Sequence, residues 1–193
     1  MTRTLHCTGT LIHPNWILTA AHCFYTGNTD LNQLSIIFGA NDLAIEPSNP
    51  LFKFTGMQER FILEYKVHNG YVHPHAYFDV AVVKLSKFVD FTDKIHPICL
   101  PTNGVENPDH LSGAFVSVVG YANRDGSNEI LIPKALKFPI HKQAICNSIY
   151  GNVTSDNRGK IDIALPNLFN HPTIICAGDF DKKDGTCPGD SGD

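Results

Sequence analysis

The segment CTGTLIHPNWILTAAHC, residues 7–23, holds two short β-type runs, residues 8–12 and 16–20, which the turn-forming pair Pro14-Asn15 separates. Helix-period patterning is poor along the rest of the chain. Further β-type runs bounded by Gly, Pro and Asn lie at residues 34–39, 61–67, 80–85, 114–120 and 173–177. Short strands at this spacing predict an all-β sandwich or barrel.

One short helix and one linker interrupt this pattern. Residues 141–150, HKQAICNSIY, are the best helical candidate, because Pro139 precedes them and Gly151 follows as a stop signal. Residues 97–108, PICLPTNGVENP, hold three prolines and few periodic apolar residues, which is typical of a surface linker. We therefore predict two β units, residues 1–108 with the linker and residues 109–193.

Composition and charge exclude several classes of protein. The chain has 193 residues, 42% of them hydrophobic and 18% charged, which favours a folded core over disorder. Its net charge is −4 with histidine neutral, and it has no Lys/Arg run, which argues against a nucleic-acid or anionic membrane partner. No apolar stretch approaches the roughly 20 residues of a membrane helix, and the N-terminus lacks the pattern of a secretion signal.

The six cysteines are widely scattered and form no C-x-x-C pair of the kind that zinc ribbons and redox sites use. Scattered cysteines are typical of disulfides in an oxidising compartment. Six cysteines admit 15 pairings, and spacing alone does not choose among them.

Three segments carry residues with catalytic chemistry: LTAAHC at 18–23, FDVAVVKL at 78–85 and GDSG at 189–192. They supply His22, Asp79 and Ser191. A serine hydroxyl needs an adjacent base to become a nucleophile, and that base needs a carboxylate to fix its tautomer. Each residue alone has an ordinary structural explanation, as a histidine beside a disulfide, a strand cap or a turn. Together, in this order, they indicate a nucleophilic triad.

At these motifs the chain resembles the chymotrypsin-like serine proteases. The resemblance includes HPICLP, similar to the linker between barrels, and IICAGDFDKKDGTCPGDSG, similar to the serine segment. It implies two antiparallel six-stranded Greek-key β-barrels, the second incomplete in this chain. It places His22 and Asp79 on the first barrel and Ser191 on the second.

The resemblance also implies a role for each residue. Ser191 would attack the scissile carbonyl, His22 would transfer its proton, and Asp79 would orient His22. The backbone N–H groups of Gly189 and Ser191 would form the oxyanion hole. Asp190 would receive the new N-terminal ammonium after zymogen cleavage, although a carboxylate that accepts hydrogen bonds within a turn explains it too.

Substrate preference follows from the position two residues before Cys187. Relatives that select Lys or Arg have Asp there, whereas this chain has Gly185 followed by Thr186. We therefore expect a preference for an uncharged side chain, with Asp184 close enough in sequence to leave a basic preference open.

For the cysteines, the resemblance implies the pairs Cys7–Cys23 and Cys146–Cys176. Cys187 would pair beyond the present end, and Cys99 would pair with an upstream pro-segment or regulatory domain. Two free thiols are the alternative for Cys99 and Cys187.

The resemblance predicts a secreted serine endopeptidase that acts on proteins or peptides through an acyl-enzyme, needs no cofactor or metal, and is open to protease inhibitors. The sequence has neither the usual mature start before Cys7 nor the segments that follow the serine in the family, so we expect an incomplete chain. The alternative is a non-catalytic homologue, or an inactive truncated product, that acts as a binding module. The sequon at Asn152 would matter only in a secreted protein.

Overall fold

The computed structural model describes residues 5–25, 30–41, 43, 45–73, 77–101, 107–121, 133–150 and 171–180. The chain separates into two compact units. Of the described residues, those up to 100, together with 119–121 and 133–135, belong to the first unit. The second unit contains the described residues in 101–118 and 136–185.

The first sheet has five antiparallel strands. They are β1 Thr10–His13, β2 Trp16–Thr19, β3 Ser35–Phe38, β4 Gln58–Val67 and β5 Ala81–Leu85. Their order across the sheet is β1-β2-β5-β4-β3, so β5 pairs with the earlier strands β2 and β4. The β-type runs predicted in this half of the chain are confirmed as strands, with ends that differ by up to three residues.

Strand β4 belongs to two pairings. Its first half pairs with β3, from Phe38 opposite Gln58 to Ser35 opposite Phe61, and its second half pairs with β5. Between the β5 pairings of Ile62 and Glu64 the register shifts by one residue, which leaves Leu63 as a bulge. A bulge bends a strand and increases its twist, so the sheet turns a corner at this point.

The core of the first unit lies on one face of this sheet. Along β5 the side chains of Ala81, Val83 and Leu85 are buried and alternate with half-buried ones, as a strand with one face on a core requires. Twelve buried residues form this core: Leu11, Ile17, Ala20, Ala21, Cys23, Phe24, Phe38, Ala81, Val83, Leu85, Val89 and Ile95.

Four short helical elements lie in the described ranges outside the predicted helix. The first unit contains 3₁₀ turns at Ala21–Phe24 and Leu31–Gln33 and a single α-helical turn, α1, at Phe52–Thr55. The second unit contains a 3₁₀ turn at Pro108–Leu111. These elements are too short to give a helical period, so the sequence did not reveal them.

The second sheet has three strands within the described residues, in the order β6-β7-β8. They are β6 Phe115–Gly120, β7 Lys134–His141 and β8 Cys176–Ala177. The predicted runs at 114–120 and 173–177 are confirmed, the latter as only two residues of strand. Strand β7 was not predicted, because Pro139 lies inside it and proline normally marks a strand edge.

A side chain replaces the hydrogen bond that Pro139 cannot donate. The N–H of Gly178 donates to the carbonyl of Pro139 at 3.1 Å, and a regular ladder would return a bond from residue 139 to the carbonyl of Gly178. Here Nε2 of His141 donates to that carbonyl at 2.8 Å. The carbonyl of Gly178 is therefore satisfied although its partner in the ladder is a proline.

The predicted helix is confirmed as α2, Gln143–Tyr150, and begins two residues later than expected because His141 ends β7. Its first turn is tied to the rest of the unit through the side chain of Gln143, which is buried. The backbone N–H of Gln143 donates to Asp109 Oδ1 at 2.7 Å. Its Nε2 donates to the carbonyls of His171 and Ile174 at 2.7 and 2.8 Å.

Candidate active site

The pairing of β2 with β5 brings His22 and Asp79 together. His22 lies in the 3₁₀ turn that follows β2, and Asp79 lies two residues before β5. Because the two strands are antiparallel, with Thr19 opposite Ala81, the end of β2 and the start of β5 lie at the same edge of the sheet. Residues 57 positions apart in the sequence therefore become neighbours.

Both carboxylate oxygens of Asp79 accept hydrogen bonds from His22. The backbone N–H donates to Oδ1 at 2.8 Å, and the ring nitrogen Nδ1 lies 2.7 Å from Oδ2. Since an ionised carboxylate only accepts, Nδ1 carries the proton, and Nε2 of a neutral ring keeps its lone pair. The His22 side chain is 39% exposed, so solvent reaches part of it.

A disulfide and two hydrogen bonds fix the segment around His22. Cys7 and Cys23 are bonded, with an S–S distance of 2.03 Å, and Cys23 is buried. Nε2 of His6 donates to the carbonyl of Cys23 at 2.8 Å, and the Thr19 hydroxyl donates to the carbonyl of Thr8 at 2.7 Å. Closing a loop of this size stabilises the fold by about 3 kcal/mol.

Aromatic side chains from the segments that flank His22 and Asp79 contact one another. The rings of Tyr25 and His73 stack with centroids 3.4 Å apart, and the Tyr71 hydroxyl lies 3.3 Å from Nδ1 of His73. Burial raises the pKa of Tyr71, and the negative charges of Asp79 and of an ionised Tyr25 raise it further. Tyr71 therefore stays neutral beside the Asp79 carboxylate.

The remaining predicted site residues lie outside the described residues. They are Ser191, Gly189, Asp190, Gly185 and Thr186. Asp184, Cys187 and Asn152 lie outside them as well. Of the three predicted catalytic side chains, the structure thus describes two, and it brings those two into direct contact.

The structure contains both disulfides that the resemblance implied. Cys146 on α2 is bonded to Cys176 on β8, with Cα atoms 6.0 Å apart, and the Cys7–Cys23 bond closes the histidine segment. Cys99 is a free, exposed thiol, the one free cysteine in the part of the chain that the structure describes.

One cluster within the described ranges has the spacing of a metal site: Cys7, His22 and Cys23, whose potential ligand atoms lie within 4.8 Å of one another. Both sulfurs belong to the disulfide, so neither is a thiolate, and this cluster does not suit a metal ion. His68 and His73 make aromatic contacts, with Phe78 and Tyr25 respectively.

Sequence reasoning did not identify two neighbours of the His22–Asp79 pair. His6 binds the carbonyl of Cys23, and His68 stacks on Phe78, the residue before Asp79. A histidine one position before Cys7 was the only available signal for the first contact. The second depends on a turn that no local pattern marks.

Among the helices in the described ranges, none combines the length and the apolar character needed to cross a lipid bilayer.

Comparison with known proteins identifies the family. The model of the trypsin family, described as "Trypsin", matches residues 1–193. Vitamin K-dependent protein C of Rattus norvegicus is 28% identical over 98% of this chain, and so is that of Mus musculus. The clotting factor G beta subunit of Tachypleus tridentatus is 28% identical over 96% of it. The chain spans 37% of protein C and 55% of that subunit. With a two-sheet antiparallel architecture and a match along its whole length, the chain has the trypsin fold and belongs to the trypsin family of serine endopeptidases.

Proposed function

We propose that the protein of which this chain is part hydrolyses peptide bonds as a secreted serine endopeptidase. The observation that carries the proposal is the His22–Asp79 pair, in which the carboxylate binds both the backbone N–H and the ring Nδ1 of the histidine. That arrangement fixes the tautomer in which Nε2 can take a proton from a hydroxyl.

In the proposed mechanism, Oγ of Ser191 attacks the substrate carbonyl while Nε2 of His22 removes the hydroxyl proton of Ser191. The backbone N–H groups of Gly189 and Ser191 stabilise the oxyanion, and His22 then protonates the leaving amine. Water hydrolyses the resulting acyl-enzyme with His22 again acting as base. Asp79 stabilises the imidazolium in both steps. The GDSG motif at 189–192 supports this assignment.

Two domains divide the work in this proposal. Residues 1–108 would form the domain with His22 and Asp79, and residues 109–193 would form the domain with the nucleophile. Gly185 and Thr186 would line the pocket for the substrate side chain and favour an uncharged one. Asp190 would bind the N-terminal ammonium that activation cleavage releases.

The proposed partners are protein or peptide substrates, protease inhibitors and a region that binds through Cys99. The exposure of the free Cys99 thiol supports a bond to a pro-segment or regulatory domain in the longer protein. Two disulfides within the described residues support an oxidising, extracellular location.

Fluorophosphonate labelling tests the catalytic assignment. The chain, refolded under oxidising conditions, is treated with the reagent, and mass spectrometry locates the adduct. We expect an adduct on Ser191 that is absent from Ser191→Ala and His22→Ala and much slower in Asp79→Asn.

Two results would contradict the proposal. One is no adduct on a folded chain with both disulfides formed, which would favour a non-catalytic binding module. The other is an adduct on Ser191 that forms at the same rate without the His22 ring, because the histidine would then not be the base.

A further inference from the structure

Phe78, the residue immediately before Asp79, has a left-handed backbone. Its φ is 55°, whereas every other residue with a positive φ in the described ranges is a glycine. The left-handed region crowds the Cβ atom, so a bulky residue is rare there. Such a residue persists only where its surroundings hold it in place.

The ring of His68 provides that support. It stacks on the ring of Phe78 with the two planes 3° apart and the centroids separated by 4.6 Å. The Phe78 side chain is half-buried by this contact and its other neighbours. A flat stack of two rings restricts both the rotation of the Phe78 side chain and the direction of its Cα–Cβ bond.

His68 is itself fixed at three points. Its Nδ1 accepts the N–H of Gly70 at 3.0 Å, and its carbonyl accepts the N–H of Tyr71 at 2.9 Å. Its own N–H donates to the carbonyl of Val80 at 3.0 Å. His68 therefore joins the residue on one side of Asp79, through the stack, to the residue on the other side, through the backbone.

A tight turn surrounds Asp79 as a result. The N–H of Val80 donates to the carbonyl of Phe78 at 2.7 Å, which leaves Asp79 alone at the tip. Because both flanking residues are held, the turn restrains the direction of the Asp79 side chain independently of its bonds to His22.

The space beside the stack is too small for a side chain at residue 70. A Cβ atom added to Gly70 would lie 2.8 Å from Cδ2 and 3.1 Å from Cε2 of Phe78. Backbone conformation does not explain this glycine, since Gly70 is not among the residues with a positive φ. Close approach of the Phe78 ring does explain it.

We propose that Phe78 is a positioning residue for the His22–Asp79 pair, and that His68 and Gly70 form the clamp that keeps it left-handed. The two bonds from Asp79 to His22, at 2.8 and 2.7 Å, tolerate little displacement of the Asp79 backbone. A change of Phe78 to an ordinary negative φ would rotate the following residue away from His22. The consequence for catalysis rests on the proposed function.

A double-mutant cycle tests the clamp. Gly70→Ala adds the Cβ atom that collides with the ring. Phe78→Asn removes the ring and keeps a residue type that tolerates the left-handed region. We expect Gly70→Ala to slow fluorophosphonate labelling of Ser191 by about tenfold or more, through the maximal rate rather than the reagent affinity, because small misplacements are costly in catalysis.

The double variant should label nearly as fast as Phe78→Asn alone, since the ring that the added methyl group strikes is gone and the longer contact of 3.2 Å with Nδ1 of His68 is the one that remains of the three nearest. Phe78→Asn alone should be slowed by about threefold, a non-additive pattern that a shared contact produces. The NMR signal of the proton between His22 Nδ1 and Asp79 should shift in Gly70→Ala and return in the double variant.

Two outcomes would overturn the clamp: a Gly70→Ala chain that behaves as the parent in both measurements, or a double variant that carries the full sum of the two losses. The proposed function fails separately, when the parent chain does not label at Ser191. In that case the NMR signal still reports the clamp, with Asp79→Asn as the control that abolishes it.

Discussion

Different kinds of interaction stabilise the two units of the chain. The first unit has five paired strands and a core of twelve buried side chains. The second contains most of the three strands of the smaller sheet, and its buried apolar side chains in the described ranges are Pro108, Phe138, Ile140, Cys146 and Cys176. Because the second unit has fewer buried apolar side chains, hydrogen bonds from polar side chains and a disulfide connect its elements. Packing should therefore dominate the stability of the first unit, and a few specific bonds that of the second.

Removal of the Cys146–Cys176 disulfide should have the largest effect among the tests of this difference between the units. In a variant with both cysteines changed to serine, the free energy of unfolding should fall by about 3.5 kcal/mol, from the entropy of a 30-residue loop. Strand β8 should separate from β7, because it is only two residues long. Urea denaturation and hydrogen exchange of residues 171–180 measure the two effects.

The matched control removes Cys7 and Cys23 in the same way. It should cost about 3 kcal/mol, but β2 and β5 should keep their exchange protection because their ladder does not depend on the disulfide. Unchanged protection of residues 171–180 in the Cys146/Cys176 variant would show that the sheet, and not the disulfide, holds β8.

Leu85→Ala probes the packing of the first unit. Leu85 is 2% exposed at the end of β5, so the truncation should lower the free energy of unfolding by about 3 kcal/mol through lost burial and a cavity. Leu63→Ala, at the exposed bulge of β4, is the same chemical change and should cost under about 0.5 kcal/mol. Equal losses in the two variants would mean that Leu85 is not part of a packed core.

Gln143→Met probes the specific bonds of the second unit. The variant keeps the length of the side chain but removes both donors to the carbonyls of His171 and Ile174, at a cost of about 2 kcal/mol. Gln58→Met is the control in the first unit, where water can replace the exposed bonds to Asp90. Arg60 Nη2, which also donates to Gln58 Oε1 at 2.6 Å, keeps its bond to Asp90 Oδ2. A larger loss at Gln58 than at Gln143, measured by urea denaturation, would reverse the contrast.

Tyr121 gives the smallest of these effects, and it depends on pH. Its hydroxyl donates to the carbonyl of Ala40 at 2.7 Å, and burial raises its pKa above the ordinary value of 10.0. The folded chain then favours the neutral phenol, so this contribution is complete below pH 10 and is lost as the pH rises through the raised pKa. Tyr121→Phe should show a shallower loss of stability in alkaline urea titrations, and an unchanged slope would contradict it.

Most strands could be predicted because short β-branched runs end at turn residues, and this pattern needs no knowledge of the partner strand. The structure differs from the prediction where a strand depends on the strand or side chain that pairs with it. The polar start of β4 at residues 58–60 is a strand because β3 pairs with it. Strand β7 tolerates Pro139 because His141 supplies the missing donor.

For the site, the motifs predicted which side chains belong together, and the structure describes the contact between His22 and Asp79. Sequence alone could not indicate the second bond, from the backbone of His22 to Asp79 Oδ1, because it depends on the register of β2 and β5. Nor could it reveal the clamp around Phe78, which depends on a backbone angle.

The bond from the His22 backbone holds the Asp79 carboxylate independently of the His22 ring. One oxygen of Asp79 is attached to the main chain at residue 22 and the other to the imidazole, so a turn of the His22 ring breaks only one of the two bonds. The carboxylate then stays where it is while the ring moves. The imidazole can swing out and return to the same acceptor, and each return restores the same tautomer.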